Sequence, residues 1–284
     1  MGIGEVDKIV PKRATFTKFY QGPVEADDVM RIADWNNDDP ARCSRAVVSG
    51  ATLLGILESG AVDAYGLTEE ELAVICSSHS GESFHVNAIR SILSKAGLGE
   101  EYLQCGVHAP LNEQAAKALE QSGQAPGQIH NNCSGKHTGM LITAKHLGES
   151  LEDYYQPYHK VQRRIIEMIA YICQYDREKI VIGVDGCGVP VHALPLYHAA
   201  WGAARMACPE TLGDRGSHAA RIVSAMMAHP EMVSGTGRFD AILMEEFQGN
   251  LFSKAGADGY EIVGIKDMFF CVVSSSSRVR STTA

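Results

Sequence analysis

Val161, Ile165, Ile169 and Ile172 follow one another at helical spacing behind Pro157, and they form the longest amphipathic pattern in the chain. A helix carrying such a stripe is stable only when the stripe is covered, so the chain must supply an apolar partner. KIVIGV, from Lys179 to Val184, comes soon after and reads as a short buried strand running directly into DGCGVP. A length of 284 residues is enough to bury a substantial core.

The same reading organises the rest. Leu53, Leu54, Ile56 and Leu57 form one apolar face that ends at Gly60, and Thr68 to Glu71 has capping-box spacing. Further helices are predicted from Glu82 to Ala96, closed by Gly97, from Asn112 to Gln121, and from Ser134 or Gly135 to Gly148. Leu196 to Ala207 and Gly216 to Ala228 follow, the second stopped by His229-Pro230. Tyr260 to Ile265 and Met268 to Val273 read as strands. Residues 1–49 lack any sustained period and are expected to be a poorly structured lead. SSSSRVRSTTA, residues 274–284, is expected to be a disordered tail.

A net charge of -9 excludes a general nucleic-acid binder, which needs Lys and Arg to displace phosphate counterions. Apolar runs fall short of the roughly 18 residues of a membrane span. The opening MGIGEVDKIVPKR has no secretory core, which points to a cytoplasmic protein. Eight dispersed cysteines are read as reduced thiols rather than a disulfide scaffold.

Three loops put small residues and reactive side chains at the end of an element. SSHSGE, Ser77 to Glu82, precedes a helix, so it could hold an anion or present a nucleophile; it could equally be a serine-rich cap. Cys133 and Lys136 stand one turn apart and can face the same way, or be a buried thiol and a solvated amine. Cys187 in DGCGVP, at a strand end, could join Cys133 with a nitrogen donor around zinc, although no Cys-x-x-Cys pair supports this. His79 and His137 read locally as core or cap histidines. Gly235 to Arg238 and Lys254 to Asp258 read locally as tight turns with a solvated cation.

Taken in order, SSHSGE, NNCSGKHTGM (131–140), DGCGVP (185–190), HPEMVSGTGRFD (229–240) and KAGADGYEIVGI (254–265) resemble the L-asparaginase II family. The resemblance implies hydrolysis of L-asparagine to aspartate and ammonia. It also implies an α/β (α+β) fold, a mostly antiparallel central sheet flanked by helices, similar to serine β-lactamases and glutaminases. The family pairs a Ser-x-x-Lys serine with a second serine and another lysine; by resemblance Ser78 is that second catalytic serine and Lys254 the distal catalytic lysine, and Cys133, Lys136 and Cys187 hold zinc. His79, Ser80, His137 and Asp185 would line the substrate, and homodimerisation is what the family suggests of assembly.

The chain departs from the family pattern in one important respect. The family's Ser-x-x-Lys motif belongs just before the helix at Ala51, where this chain has only the echo Arg42-Cys43-Ser44-Arg45. Residues 50–273 are therefore expected to be a truncated asparaginase II-like domain. The rival expectation is a non-catalytic paralogue that binds zinc or an amino acid.

Overall fold

The computed structural model describes residues 53–256, 260–266 and 270–274. The expected lead, with Arg42-Cys43-Ser44-Arg45, and the expected tail past Ser274 lie outside the described residues.

Helix α1, residues 53–58, turns out of helical geometry at Gly60, whose φ of 80° suits a residue without a side chain. After the short α2, Ala61–Ala64, helix α3 spans Glu69–Ile75. The capping box forms as its spacing predicts: Glu71 N–H donates to Thr68 Oγ1 and Thr68 N–H to the Glu71 carboxylate. That carboxylate also accepts Lys95 Nζ at 2.6 Å, which ties α3 to α4, Ser83–Lys95. Helix α5, Glu113–Gln121, is capped by Asn112 and lies on the surface.

Helix α6, Ser134–His146, is the centre of the molecule, and every residue from Ser134 to Ala144 is buried. Its small residues explain why it can be enclosed. A side chain at Gly135 would meet the Val74 carbonyl oxygen at 2.1 Å, so α3 and α6 touch backbone to backbone. Gly139 does the same against the side chains of Ile56 and Ile75.

Helix α7 runs Lys160–Cys173 rather than from Pro157, because His159 is extended and its Nδ1 accepts the Val161 N–H as a cap. Its stripe of Val161, Ile165, Ile169 and Ile172 is buried against α6 and α8, Leu196–Ala207. Helix α9, Gly216–Ala228, packs on α3, and α10, Pro230–Val233, follows His229 directly. Pro230 thus ends one helix and opens the next.

The strands form two antiparallel sheets among the described residues. Strand β1, Val181–Val184, pairs with β2, Pro190–Ala193. Strands β3, Leu251–Ala255, β4, Glu261–Ile265, and β5, Phe270–Ser274, form a ladder in that order. Helix α8 covers β4 and β5, and α11, Phe239–Glu246, packs against β3. The class is mixed α/β with helix dominant.

Two expectations need correction. Strand β1 is exposed rather than buried, with Val181, Ile182 and Val184 at the surface. The buried members of this ribbon are on β2, and an apolar composition alone does not say which strand of a pair faces the core. Lys254 belongs to a buried strand and not to a turn, because its partner in the ladder is Ile262. Among the described residues, no helix is long and apolar enough to cross a membrane.

Candidate active site

The segment after α3 is held at both sides. Ser78 N–H donates to Val233 O at 3.0 Å and His79 N–H to Asn132 O at 3.1 Å, so the loop is strung between α10 and the approach to α6. Gly81, at φ 77°, turns the chain under Pro110 into α4.

His79 is fully buried, and both ring nitrogens are engaged. Gly81 N–H donates to Nδ1 at 3.1 Å, which leaves the ring proton on Nε2 to face Ser134 Oγ at 2.9 Å. The Ser134 hydroxyl in turn donates to Ile129 O. Burial, helped by His85 stacked at 4.9 Å, holds His79 neutral, well below the usual histidine range. His79 therefore braces the loop. Ser80 Oγ donates to Glu82 Oε2 at 2.6 Å, and Thr236 N–H donates to the same oxygen at 2.9 Å, which clamps the GTGR loop onto SSHSGE. Gly235 is required there: a side chain would fall 1.9 Å from Ser80 Oγ.

The amine arrives from the far end of the chain. Lys254 Nζ, on β3 and 2% exposed, donates to Ser78 Oγ at 2.9 Å and to Ala255 O at 2.6 Å. Burial lowers its pKa, and Asp240, Glu261 and Cys133 act in the opposite direction. The Cys76 thiol beside it is pushed up to about 12 by burial and stays protonated.

At the N-terminus of α6 the third loop closes on the second. One ligand atom each from Cys133, Asp185 and Cys187 lies within 4.8 Å of the others. Lys136 Nζ is 3.4 Å from Asp185 Oδ2. Cys133 is drawn down to about 6, first by the Cys187 S–H and then by Lys136, while Cys187 is pushed up to about 12 by that same bond and by burial. One of the two sulfurs is therefore a ready thiolate. Burial disfavours the Lys136 charge, but Cys133, Cys187 and Asp185 outweigh it and hold the ammonium above its usual range.

His137 is oriented from behind. Tyr154 OH accepts Gln104 N–H at 3.0 Å and meets His137 Nδ1 at 2.6 Å, leaving Nε2 buried on the Cys187 side. The two thiols and the carboxylate form a set of the kind that can hold a metal ion, and Lys136 could add a nitrogen ligand only on losing its proton. Lys254 lies within electrostatic reach of Cys133 and Lys136, so the hydroxyl–amine pair and the thiol cluster share one region.

A family model described as L-asparaginase II matches residues 31–273. The chain belongs to that family. No curated protein matches it in a sequence search. Within this asparaginase II chain, the geometry brings Ser78 to Lys254 and gathers Cys133, Lys136, Asp185 and Cys187. Asp185 thus stands with the thiols, and His79 and Ser80 spend their polar atoms on the protein itself.

Three participants escaped the sequence reading. Asp240 accepts Ala255 N–H at 3.3 Å, and Glu261 accepts Ser253 Oγ at 2.5 Å, both beside Lys254. The available signal was an acidic residue opening the apolar strand EIVGI and another closing HPEMVSGTGRFD. Tyr154 carried no signal, since only the tertiary fold brings it to His137.

Proposed function

We propose that this asparaginase II chain hydrolyses the side-chain amide of L-asparagine with Ser78 and Lys254 as the reactive pair. The observation that carries the reading is the 2.9 Å contact between a buried lysine amine and a serine hydroxyl, next to two thiols and a carboxylate. Serine is a weak nucleophile near neutrality and needs an adjacent base. A lysine can be that base when burial favours its neutral form, which is the direction in which Lys254 is displaced.

In this reading neutral Lys254 Nζ takes the Ser78 proton as Oγ bonds to the amide carbon. The proton passes to the departing nitrogen as the C–N bond breaks, releasing ammonia and leaving an acyl ester on Ser78. Water then attacks the ester, Lys254 accepts its proton, and that proton returns to Oγ as aspartate leaves. Cys133, Cys187 and Asp185, with Lys136, would hold zinc, whose positive charge would orient the polar groups of the substrate. Tyr154 fixes His137 behind that set, and Glu82 fixes the loop that carries Ser78.

The reading carries with it the β-lactamase-like fold, a cytoplasmic setting and a homodimer. Cys76, Cys105, Cys133, Cys173 and Cys187, all buried reduced thiols, support a reducing compartment. A non-catalytic zinc or amino-acid binding protein is the second reading, favoured by the lack of a Ser-x-x-Lys motif in the sequence.

Ammonia release from L-asparagine, set against L-glutamine, separates the two. Hydrolysis should fall by about a thousandfold or more in Ser78→Ala and in Lys254→Met. A folded chain that binds zinc and releases no ammonia establishes the second reading, and one as active in Ser78→Ala as before removes Ser78 from the chemistry.

A further inference from the structure

Three consecutive residues of β3 are fixed by groups that come from outside the strand. Ser253 Oγ donates to Glu261 Oε1 at 2.5 Å, Lys254 Nζ to Ser78 Oγ at 2.9 Å, and Ala255 N–H to Asp240 Oδ2 at 3.3 Å. Glu261 is the ladder partner of Ala255, so its carboxyl arrives from β4, whereas Asp240 arrives from the first turn of α11. Asp240 is 1% exposed, and its Oδ1 has no hydrogen-bond partner among the described residues. A buried carboxylate with one oxygen unused is costly unless a cation offsets it. Lys254 is the buried cation on which both carboxyls act.

The chemistry proposed for Ser78 and Lys254 gives neither carboxyl a role. We propose that Asp240 and Glu261 are a positioning pair that holds Lys254 against Ser78 and sets whether its amine carries a proton. The inference rests on the Ser78 and Lys254 reading for its functional meaning.

The balance of charge around Lys254 supports this division of labour. Cys76 faces it from the end of α3, Ser78 and His79 from the loop, Cys133 and Lys136 from α6, Asp240 from α11 and Glu261 from β4. Cys76 is a neutral thiol and His79 a neutral ring, so neither supplies charge near neutrality. Lys136 opposes the ammonium of Lys254, and Cys133 favours it. Glu261 is the group on β4 that changes charge in the working range: burial, then Asp240, holds it up at about 7, while Ser253, Lys254 and Arg238 pull the other way. Uptake of a proton by Glu261 removes a charge that stabilises the ammonium, and so favours release of a proton from Nζ. One proton is then exchanged between two buried groups with no net charge brought into the interior, which is cheaper than ionising either alone.

The test reads Lys254 directly and needs no turnover. Lysine labelled with carbon-13 at Cε is incorporated into the full chain, and the Lys254 signal is assigned by its loss in Lys254→Met. In the wild-type chain the Lys254 shift should bend where Glu261 titrates, at about 7, in addition to its own midpoint. Glu261→Gln should erase that bend and shift the midpoint downward. Asp240→Asn should also shift it downward, and Glu246→Gln, an exposed change on α11, should leave both features in place.

A wild-type curve with no bend where Glu261 titrates overturns the proposal, and this result does not depend on any variant folding. A midpoint unmoved in both Glu261→Gln and Asp240→Asn overturns it as well. The hydrolase reading fails separately: a chain that releases no ammonia yet shows the bend keeps the pair, and an active chain without the bend loses it.

Discussion

The contact between α3 and α6 makes a quantitative test of the fold that carries the site. Replacing Gly135 by Ala would put a methyl 2.1 Å from Val74 O and 2.9 Å from Val74 C, both backbone atoms that no rotamer change can move aside. Overpacking of this kind costs about 3 kcal/mol at the upper end of its usual range. Alanine recovers about 1 kcal/mol of helix propensity over glycine. The net loss is roughly 2 kcal/mol, which for a domain of this size lowers Tm by about 4–8 °C. Gly139→Ala is the control: its methyl would meet Ile56 Cδ1 at 2.6 Å and Ile75 Cγ2 at 2.7 Å, side-chain atoms that can yield more than a backbone carbonyl although Ile75 is stiff at χ1. Its loss should be clearly smaller. Circular dichroism melts of both variants beside the wild type decide the matter. A Gly135→Ala melt equal to the wild type, or a larger loss at Gly139, refutes the backbone contact between α3 and α6.

Tyr154→Phe should destabilise the chain by about 1–3 kcal/mol in urea melts, since it strands the buried Gln104 N–H and His137 Nδ1. His85 is held down to about 4 by burial, so the folded state keeps it neutral while the unfolded chain protonates it below about 6.5. Stability contributed by this group is therefore complete above that value and is lost as pH falls toward 4, by on the order of 3 kcal/mol. The loss is checked by denaturant titrations across the interval, with His85→Gln showing a flatter slope. Zinc added to metal-stripped protein should raise Tm, and Cys133→Ser or Cys187→Ser should abolish the rise, because each removes a thiol from a set within 4.8 Å.

Features that depend on near neighbours in the chain were legible in the sequence. Thr68 with Glu71, Asn112 before α5, and Gly60 after α1 mark boundaries because capping is a local transaction between residues a turn apart. Features settled by distant partners were not. Val181, Ile182 and Val184 look like core residues in isolation, yet the ladder with β2 leaves them outside. Lys254 beside Gly256 and Asp258 looks like a turn until β4 pairs with it. The order of the motifs pointed to loops that meet, but the placement of Asp185 with the sulfurs and of Asp240 and Glu261 around Lys254 exists only in three dimensions.

The hydroxyl of Ser78 and the amine of Lys254 are separated by 176 positions along the chain. During synthesis the helical part, with its serine and both sulfurs, leaves the ribosome well before the strand bearing the amine exists. The closing contact spans most of the sequence, and contacts of such long range form slowly. The nascent protein thus lacks the contact between Ser78 and Lys254 until the ladder of β3, β4 and β5 docks on the helical part.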